Sequence, residues 1–310
     1  MLERRGPDDG VAFGALILVA ATVLALLIVG LRLATGGRPS APTPTPIPAP
    51  TAAATATPVA PTPPPPPPTA APAATPQIAA AGAHPIVCLD PGHGGSDLGN
   101  VRLAADKIEL QEKDLTLSVS QALADRLRAD NFDVVLTRTT DAEVNPNNDD
   151  VNGDGTVAPT DGEAETDQLD DLQARVNICN AANADLLVSV HFNSSENVHL
   201  AGYEVWYNDK RPFSDRSKSF ATLVHEELGK AFAAAGYEAN DRGIGADDLA
   251  VLGPARPGKL VPSDMPGAVV EGLFLSNDGD AAFIESGRAD DAIVSAYERA
   301  IQRYFAEYPV

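Results

Sequence analysis

The stretch IVCLDPGHGGSDLG, residues 86–99, joins an apolar run to a glycine-rich turn that contains a histidine. The run IVCL is typical of a strand that is covered on both faces of its sheet. Gly92, Gly94 and Gly95 then allow the backbone to bend so that His93 faces a crevice. A histidine in such a turn either completes the turn through a hydrogen bond or binds a ligand.

Strand and helix patterns alternate along the chain that follows. Apolar or alternating runs, which predict strands, occupy residues 86–89, 132–138, 184–191, 202–207 and 267–275. Apolar spacings of three and four, which predict helices, occupy residues 108–123, 169–183, 217–235 and 293–305. This alternation predicts an α/β fold with a single, mostly parallel twisted sheet flanked by helices. Ligands bind such sheets at the carboxyl ends of the strands.

The amino terminus carries an uncharged run, residues 11–31, made mostly of Ala, Leu, Val and Ile. About 20 such residues span a bilayer core, so we predict a transmembrane anchor behind a cytoplasmic tail, residues 1–10. A cleaved signal peptide is the alternative, but the run is long and no A-x-A site follows it. Arginines flank both sides of the run, so the positive-inside rule does not decide its orientation.

Residues 32–83 are rich in Pro, Ala and Thr and cannot bury enough apolar surface to fold. They predict a semi-rigid stalk, which leaves residues 84–310 as one folded domain. A formal net charge of −21 argues against a nucleic-acid partner, since no basic patch in the sequence offsets it. Cys88 and Cys179 are too few for a disulfide framework, and their apolar surroundings predict buried free thiols rather than a bridge.

Two histidines and one glutamate lie where predicted strands end. His93 follows the first strand, His191 ends the third, and Glu271 lies within or at the end of the last. Because the carboxyl ends of parallel strands meet at one edge of a sheet, we expect these side chains to lie together. A catalytic zinc site has three protein ligands and leaves a fourth position for water, so a further ligand is needed.

Residues 108–123 offer two glutamates for that position. At about 100° per residue, Glu112 points along the core-facing stripe formed by Val119 and Leu123. A carboxylate that faces a core is paired or bound to metal, although a first-turn glutamate also complements the helix dipole without any ligand. Glu109 lies only about 60° from the same direction, so geometry leaves both glutamates open.

Four motifs occur in register: DPGHGG, LQEKDLTL, ARVNICNAANADLLVSVHFN and VVEGLFLSN. With them the chain, from about residue 86 to its end, resembles the zinc-dependent N-acetylmuramoyl-L-alanine amidases, the amidase_3 family. The resemblance implies zinc held by His93, Glu112 and His191, and it selects Glu112 over Glu109. It implies catalysis by Glu271 and cleavage, by zinc-activated water, of the peptidoglycan amide between N-acetylmuramic acid and L-alanine.

This substrate implies a single-pass membrane protein whose catalytic domain faces the cell wall. The sequence departs from the family pattern at Gly272 and Leu273, which keeps open a catalytically silent peptidoglycan-binding protein. Regulated relatives carry a long helical insertion after the strand of the second histidine. Here only a short loop separates His191 from residues 202–207, so we predict no self-blocking helix. A protein activator is a further candidate partner.

An acidic insertion, residues 141–171, contains DVNGDGTVAPTD at positions 150–161. Its spacing resembles the calcium loops of EF-hands and dockerins, with a glycine at the sixth position. The candidate calcium ligands are Asp150, Asn152, Asp154, Thr156 and Asp161. An acidic disordered insertion is the alternative reading, and a calcium-dependent scaffold protein is a further functional hypothesis.

Overall fold

The structure is a computed structural model that describes residues 84–104, 107–157, 169–253 and 260–310. Strands in these ranges are β1 Ile86–Pro91, β2 Val101–Ala104, β3 Lys107–Gln111, β4 Asp133–Leu136, β5 Leu186–Asn193, β6 Tyr203–Tyr207, β7 Asp241–Ala246 and β8 Gly267–Phe274. Helices are α1 Glu112–Ala129, α2 Leu169–Ala181, α3 Ser214–Ala234, α4 Asp278–Glu285 and α5 Arg288–Glu307. The predicted strands and helices are present in the predicted order, and β2, β3, β7 and α4 are present in addition.

The main sheet has six strands in the order β4-β1-β5-β8-β6-β7. The first four are mutually parallel. Strand β6 runs antiparallel to β8, and β7 runs parallel to β6. The predicted α/β fold with a mostly parallel sheet is therefore confirmed, with two reversed strands at one edge. Strands β2 and β3 form a separate antiparallel pair directly before α1.

One face of the sheet is covered by α1, α3 and α5. Helix α1 presents Val119, Leu123 and Leu127 at four-residue spacing, and all three are fully buried. Helix α5 buries Tyr297 and Ile301 in the same cluster. Each such side chain stabilises the fold by about 1.5–3 kcal/mol relative to an exposed one. This apolar face fixes α1 against the sheet, and the first residue of α1 is Glu112.

The opposite face of the sheet carries α2 and a smaller apolar cluster that includes Leu187 and Val269. Cys88 of β1 and Cys179 of α2 are joined there by a disulfide bond. The prediction of free thiols is therefore wrong. It failed because free thiols and disulfide bonds are both found in apolar surroundings, so those surroundings do not distinguish them. The two cysteines also lie 91 residues apart in sequence. Only the packing of α2 on β1 brings them together.

The sequence pattern places the start of α1 too early. Residues 107–111 are β3, which pairs with β2, and the helix begins at Glu112. Because the apolar residues Ile108 and Leu110 alternate with polar ones, this segment fits the period of a strand as well as that of a helix. It forms a strand because it pairs with β2. Strand β7 was not predicted, since its residues DRGIGA hold two glycines and little apolar periodicity.

The tail, anchor and stalk predicted for residues 1–83 lie outside the described residues. Within the described ranges, no helix combines the length and the apolar composition that a bilayer crossing requires. The boundaries assigned to those segments from the sequence therefore stay predictions.

Candidate metal centre and active site

A cleft opens at the carboxyl ends of the parallel strands, on the face of the sheet that carries α2. Side chains alternate along each strand, so Asp90, His191 and Glu271 all project towards this face, while their neighbours pack in the opposite core. The cleft has about 730 Å³ of empty volume, its open mouth included. Leu172 of α2 and Leu249 form part of an apolar wall.

His93 lies in the turn directly after β1, with a left-handed backbone at φ 63°. Its Nδ1 lies 2.8 Å from a carboxylate oxygen of Asp97, and its Nε2 lies 3.1 Å from Glu112 Oε2. A carboxylate that holds one ring nitrogen of a histidine orients the other nitrogen, an arrangement found around metal-binding histidines. Asp97 was not singled out from the sequence, although it lies four residues after His93.

Arg175 fixes the backbone of the same turn from α2. Its guanidinium donates hydrogen bonds to the carbonyl oxygens of Pro91 and His93, both at 2.7 Å. The buried cation also pairs with Asp90 at 2.9 Å and with Asp171 at 2.7 Å. Because both ion pairs are made within the fold, Arg175 supports the turn that carries His93.

Glu112 is 1% exposed and receives donors on both oxygens. Oε2 accepts the backbone and side-chain N–H groups of Asn100, each at 2.8 Å. Oε1 accepts the backbone N–H of Phe192 at 2.9 Å and lies 3.0 Å from His191 Nδ1. Glu109 instead lies on β3, exposed and paired with Arg102, so the structure excludes it from this centre.

His93, Glu112 and His191 form the one group of His, Cys, Asp and Glu side chains in the described part of the chain that could hold a metal ion. Their ligand atoms lie within 4.8 Å of one another. The two imidazole rings meet nearly at right angles, 5.0 Å apart. Gly92 and Gly99 are required here, since a Cβ at Gly92 would collide with His191 and one at Gly99 with His93.

The three side chains strongly affect one another's pKa values. Burial opposes the charged imidazolium, but hydrogen bonds to Asp97 and Glu112 outweigh it and raise the pKa of His93 to about 10. Burial also opposes the charged form of His191, but the hydrogen bond and the negative charge of Glu112 outweigh burial and raise the pKa of His191. Burial would raise the pKa of Glu112, but the two histidines hold it far below its usual range. A metal ion that takes these ligands therefore displaces protons from the imidazoles.

Glu271 lies within β8 and is the register partner of His191 on β5. Desolvation raises its pKa to about 7; the His191 charge opposes this, and the charges of Glu112 and Glu204 add to it. Glu204 is the register partner of Glu271 on β6, and Arg242 holds it at 2.9 Å. Among the described residues, none donates a hydrogen bond to the Glu271 carboxylate.

The candidate calcium loop, of which residues 150–157 are described, makes its hydrogen bonds mainly within the acidic insertion. Asp150 accepts the backbone N–H of Gly155 at 3.0 Å, and Asn152 accepts that of Asp154 at 2.9 Å. Thr156 donates to Asp154. Asp161 lies outside the described residues. No His, Cys, Asp or Glu side chain of the described loop belongs to a group that could hold a metal ion, so the predicted calcium site has no support.

Two further expectations concern the rim and the strand after Glu271. The loop between β5 and β6, residues 194–202, contains no helix, as predicted, so nothing in that described loop covers the centre in the manner of a blocking helix. Gly272 and Leu273, which depart from the family pattern, lie within β8, and Leu273 is buried in the core. These departures therefore leave the cleft residues in place.

The family model Amidase_3, N-acetylmuramoyl-L-alanine amidase, matches residues 87–303. The germination-specific N-acetylmuramoyl-L-alanine amidase of Bacillus subtilis (strain 168) is 29% identical over 223 residues, covering 72% of this chain and 80% of that protein. The amidase AmiA of Salmonella typhimurium is 30% identical over 167 residues, covering 54% of this chain and 46% of that protein.

Solved structures are similar over the same region. The N-acetylmuramoyl-L-alanine amidase AmiC2 of Nostoc punctiforme has a TM-score of 0.52 and 26% identity, covering 72% of this chain and 97% of that one. The CwlD amidase of Clostridioides difficile, in complex with the GerS lipoprotein, has a TM-score of 0.57 at 24% identity. It covers 72% of this chain and 100% of its own, and supports the fold alone.

Proposed function

The chain belongs to the Amidase_3 family, and we propose that its folded domain is a zinc-dependent peptidoglycan hydrolase. The bond cleaved is the amide between the lactyl group of N-acetylmuramic acid and the L-alanine of the stem peptide. The observation that carries this proposal is the convergence of His93, Glu112 and His191. The two histidines line the open cleft together with Glu271, and Glu112 is buried against both imidazoles.

The donor set fits zinc. The turn after β1 and the end of β5 each supply one imidazole, and the start of α1 supplies one carboxylate. This set matches a catalytic zinc site, which has three protein ligands and an open fourth position. Bound there, zinc supplies a Lewis acid that acidifies water and polarises the scissile carbonyl. Asp97 and Asn100 orient His93 and Glu112 from behind, as outer partners of metal ligands do.

Glu271 serves as the general base and then the general acid. A pKa near 7 suits both tasks at neutral pH, because the carboxylate accepts a proton readily and releases it again. It takes a proton from the attacking water, whose oxygen stays on the lactyl carbonyl carbon. It then returns this proton to the L-alanine nitrogen as the C–N bond breaks.

Mass spectrometry of digested peptidoglycan tests the proposal. Full-length protein, purified in mild detergent, is incubated with peptidoglycan with and without a zinc chelator. We expect stem peptides with a free L-alanine amine, lost on chelation and restored by added zinc. Intact peptidoglycan under zinc-replete conditions would favour the silent peptidoglycan-binding protein instead.

The proposed location is the outer side of a bacterial cell membrane. Residues 11–31 form the anchor, residues 32–83 the stalk, and residues 1–10 the cytoplasmic tail, so that the catalytic domain reaches the cell wall. The Cys88–Cys179 disulfide supports this, since such bonds persist in oxidising compartments outside the cytosol. Protease added to intact spheroplasts should remove the domain; protection until lysis would contradict the proposed orientation.

A protein partner remains part of the proposal. A protein activator is a candidate because the family resemblance leaves room for one. Because the described loop 194–202 holds no blocking helix, we expect the purified protein to hydrolyse peptidoglycan without an activator. A basal activity near zero, restored by a captured envelope protein, would contradict that expectation. Isothermal titration with millimolar calcium tests the calcium loop separately.

A further inference from the structure

Arg138 lies behind the metal centre, where the turn carrying His93 meets the start of α1. Its Nη2 donates to the carbonyl oxygen of Gly92 at 2.9 Å and to that of Lys113 at 2.7 Å. Gly92 immediately precedes His93, and Lys113 immediately follows Glu112. One guanidinium group therefore joins the backbones adjacent to two of the three ligands.

A buried hydroxyl reinforces the same link. Thr116 Oγ1 lies 2.8 Å from the carbonyl oxygen of Gly92 and 3.2 Å from that of Lys113. Arg138 Nη2 also donates to this hydroxyl, at 3.0 Å, and Arg138 Nε donates to the Pro91 carbonyl, also at 3.0 Å. Arg138 and Thr116 are 5% and 0% exposed.

Arg138 is buried with no carboxylate of the described residues within ion-pair distance, and the charges of Asp90 and Asp141 act on it only from further away. Asp141 pairs with Lys113, and Asp90 pairs with Arg175. No carboxylate of the described residues forms an ion pair with Arg138, whose hydrogen bonds go to carbonyl oxygens and the Thr116 hydroxyl. An unpaired buried cation is costly. A planar guanidinium nevertheless presents five donors in a fixed geometry, which a lysine ammonium does not reproduce.

We propose that Arg138 is a positioning residue that fixes His93 and Glu112 relative to one another and thereby sets the zinc affinity. This inference rests on the proposed function, since it takes zinc as the bound metal. It assigns Arg138 no contact with substrate. Loss of an outer partner of a metal ligand typically weakens metal binding about 10–100-fold.

The test compares zinc binding by three variants of the full-length protein in detergent. Arg138→Lys keeps the positive charge but loses the planar guanidinium with its several N–H donors. Thr116→Val removes only the hydroxyl group. Arg126→Lys is the matched control: Arg126 lies on the same helix as Glu112 but pairs with Asp291 and Glu298, away from the ligand-bearing turns. Zinc affinity is measured by competition with a chromophoric chelator, and ligand geometry by the absorption spectrum of the cobalt-substituted protein.

We expect Arg138→Lys to bind zinc about 10–100-fold more weakly and to change the cobalt spectrum. Thr116→Val should lose less affinity, and Arg126→Lys should match wild type. A folded Arg138→Lys protein with wild-type zinc affinity and cobalt spectrum would overturn the inference. If Arg138→Lys does not fold, wild-type zinc affinity in Thr116→Val overturns it. Absence of zinc binding in the wild-type protein would instead overturn the proposed function.

Discussion

Two glutamates of the candidate active site, Glu112 and Glu271, have pKa values that are shifted in opposite directions. Glu112 is buried, accepts three N–H donors from Asn100 and Phe192, and touches both imidazoles, so its pKa lies far below the usual range. Glu271 accepts no hydrogen bond from the described residues, and desolvation raises its pKa to about 7. Burial alone therefore does not decide the charge of a carboxylate; the donors around it do.

The difference suits the two residues to the separate tasks that we propose for them. A carboxylate that is ionised and held on both oxygens is ready to bind a metal ion. A carboxylate whose pKa lies near neutrality is ready to exchange a proton.

Loss of the Glu112 charge should have the largest effect. In Glu112→Gln a neutral amide replaces the carboxylate ligand, and the two histidines lose the negative charge beside them. We therefore expect the variant to lose its bound zinc and to have the same activity as the zinc-free protein. Elemental analysis of the purified variant and a peptidoglycan assay measure both. Glu109→Gln is the matched control and should keep zinc and activity, because Glu109 is exposed on β3. The reverse pattern would reassign the third ligand to Glu109.

Loss of the Glu271 charge should separate catalysis from metal binding. In Glu271→Gln we expect activity to fall by about 10²–10⁴-fold, the usual contribution of general acid–base catalysis, with zinc content unchanged. The same two assays apply. Cleavage at the wild-type rate would remove Glu271 as the base, and loss of zinc would place it among the metal-binding residues.

The pH dependence should show a smaller effect. The base works as a carboxylate, so its raised pKa means that activity falls as pH decreases through about 7. Glu204 contributes a negative charge that helps to raise that pKa. Glu204→Gln should therefore lower the pKa of Glu271 and move the acidic limb of the kcat/KM profile to lower pH. An unmoved limb, or one displaced to higher pH, would contradict the role given to Glu204.

The sequence predicts correctly that His93 and His191 lie close together, because the carboxyl ends of parallel strands meet at one edge of a sheet. His93 and His191 follow apolar runs, and parallel pairing of β1 with β5 places them at one edge. Glu112 needed the family resemblance, since helical geometry alone left Glu109 open. The structure resolves the ambiguity because the helix begins at Glu112 and the preceding residues form β3.

Contacts between distant segments could not be predicted in the same way. The Cys88–Cys179 bond depends on how α2 packs against β1. Arg138 joins the carbonyls beside His93 and Glu112 from the end of a third segment, and its sequence neighbours give no sign of it. Asn100 reaches Glu112 only because the β2–β3 pair folds back before α1. The periodicity of apolar residues shows which face of a helix or strand is buried, but not which other segment packs against that face.

Digestion of peptidoglycan in ¹⁸O-enriched water tests the central claim most directly. Water-dependent cleavage of the N-acetylmuramoyl-L-alanine amide predicts one ¹⁸O atom in the lactyl carboxylate of the released glycan, with none in the L-alanine amine product. This label should vanish on zinc chelation and return with added zinc. Label in a stem-peptide carboxylate, or at a reducing sugar end, would show that another bond is cleaved and would contradict the account.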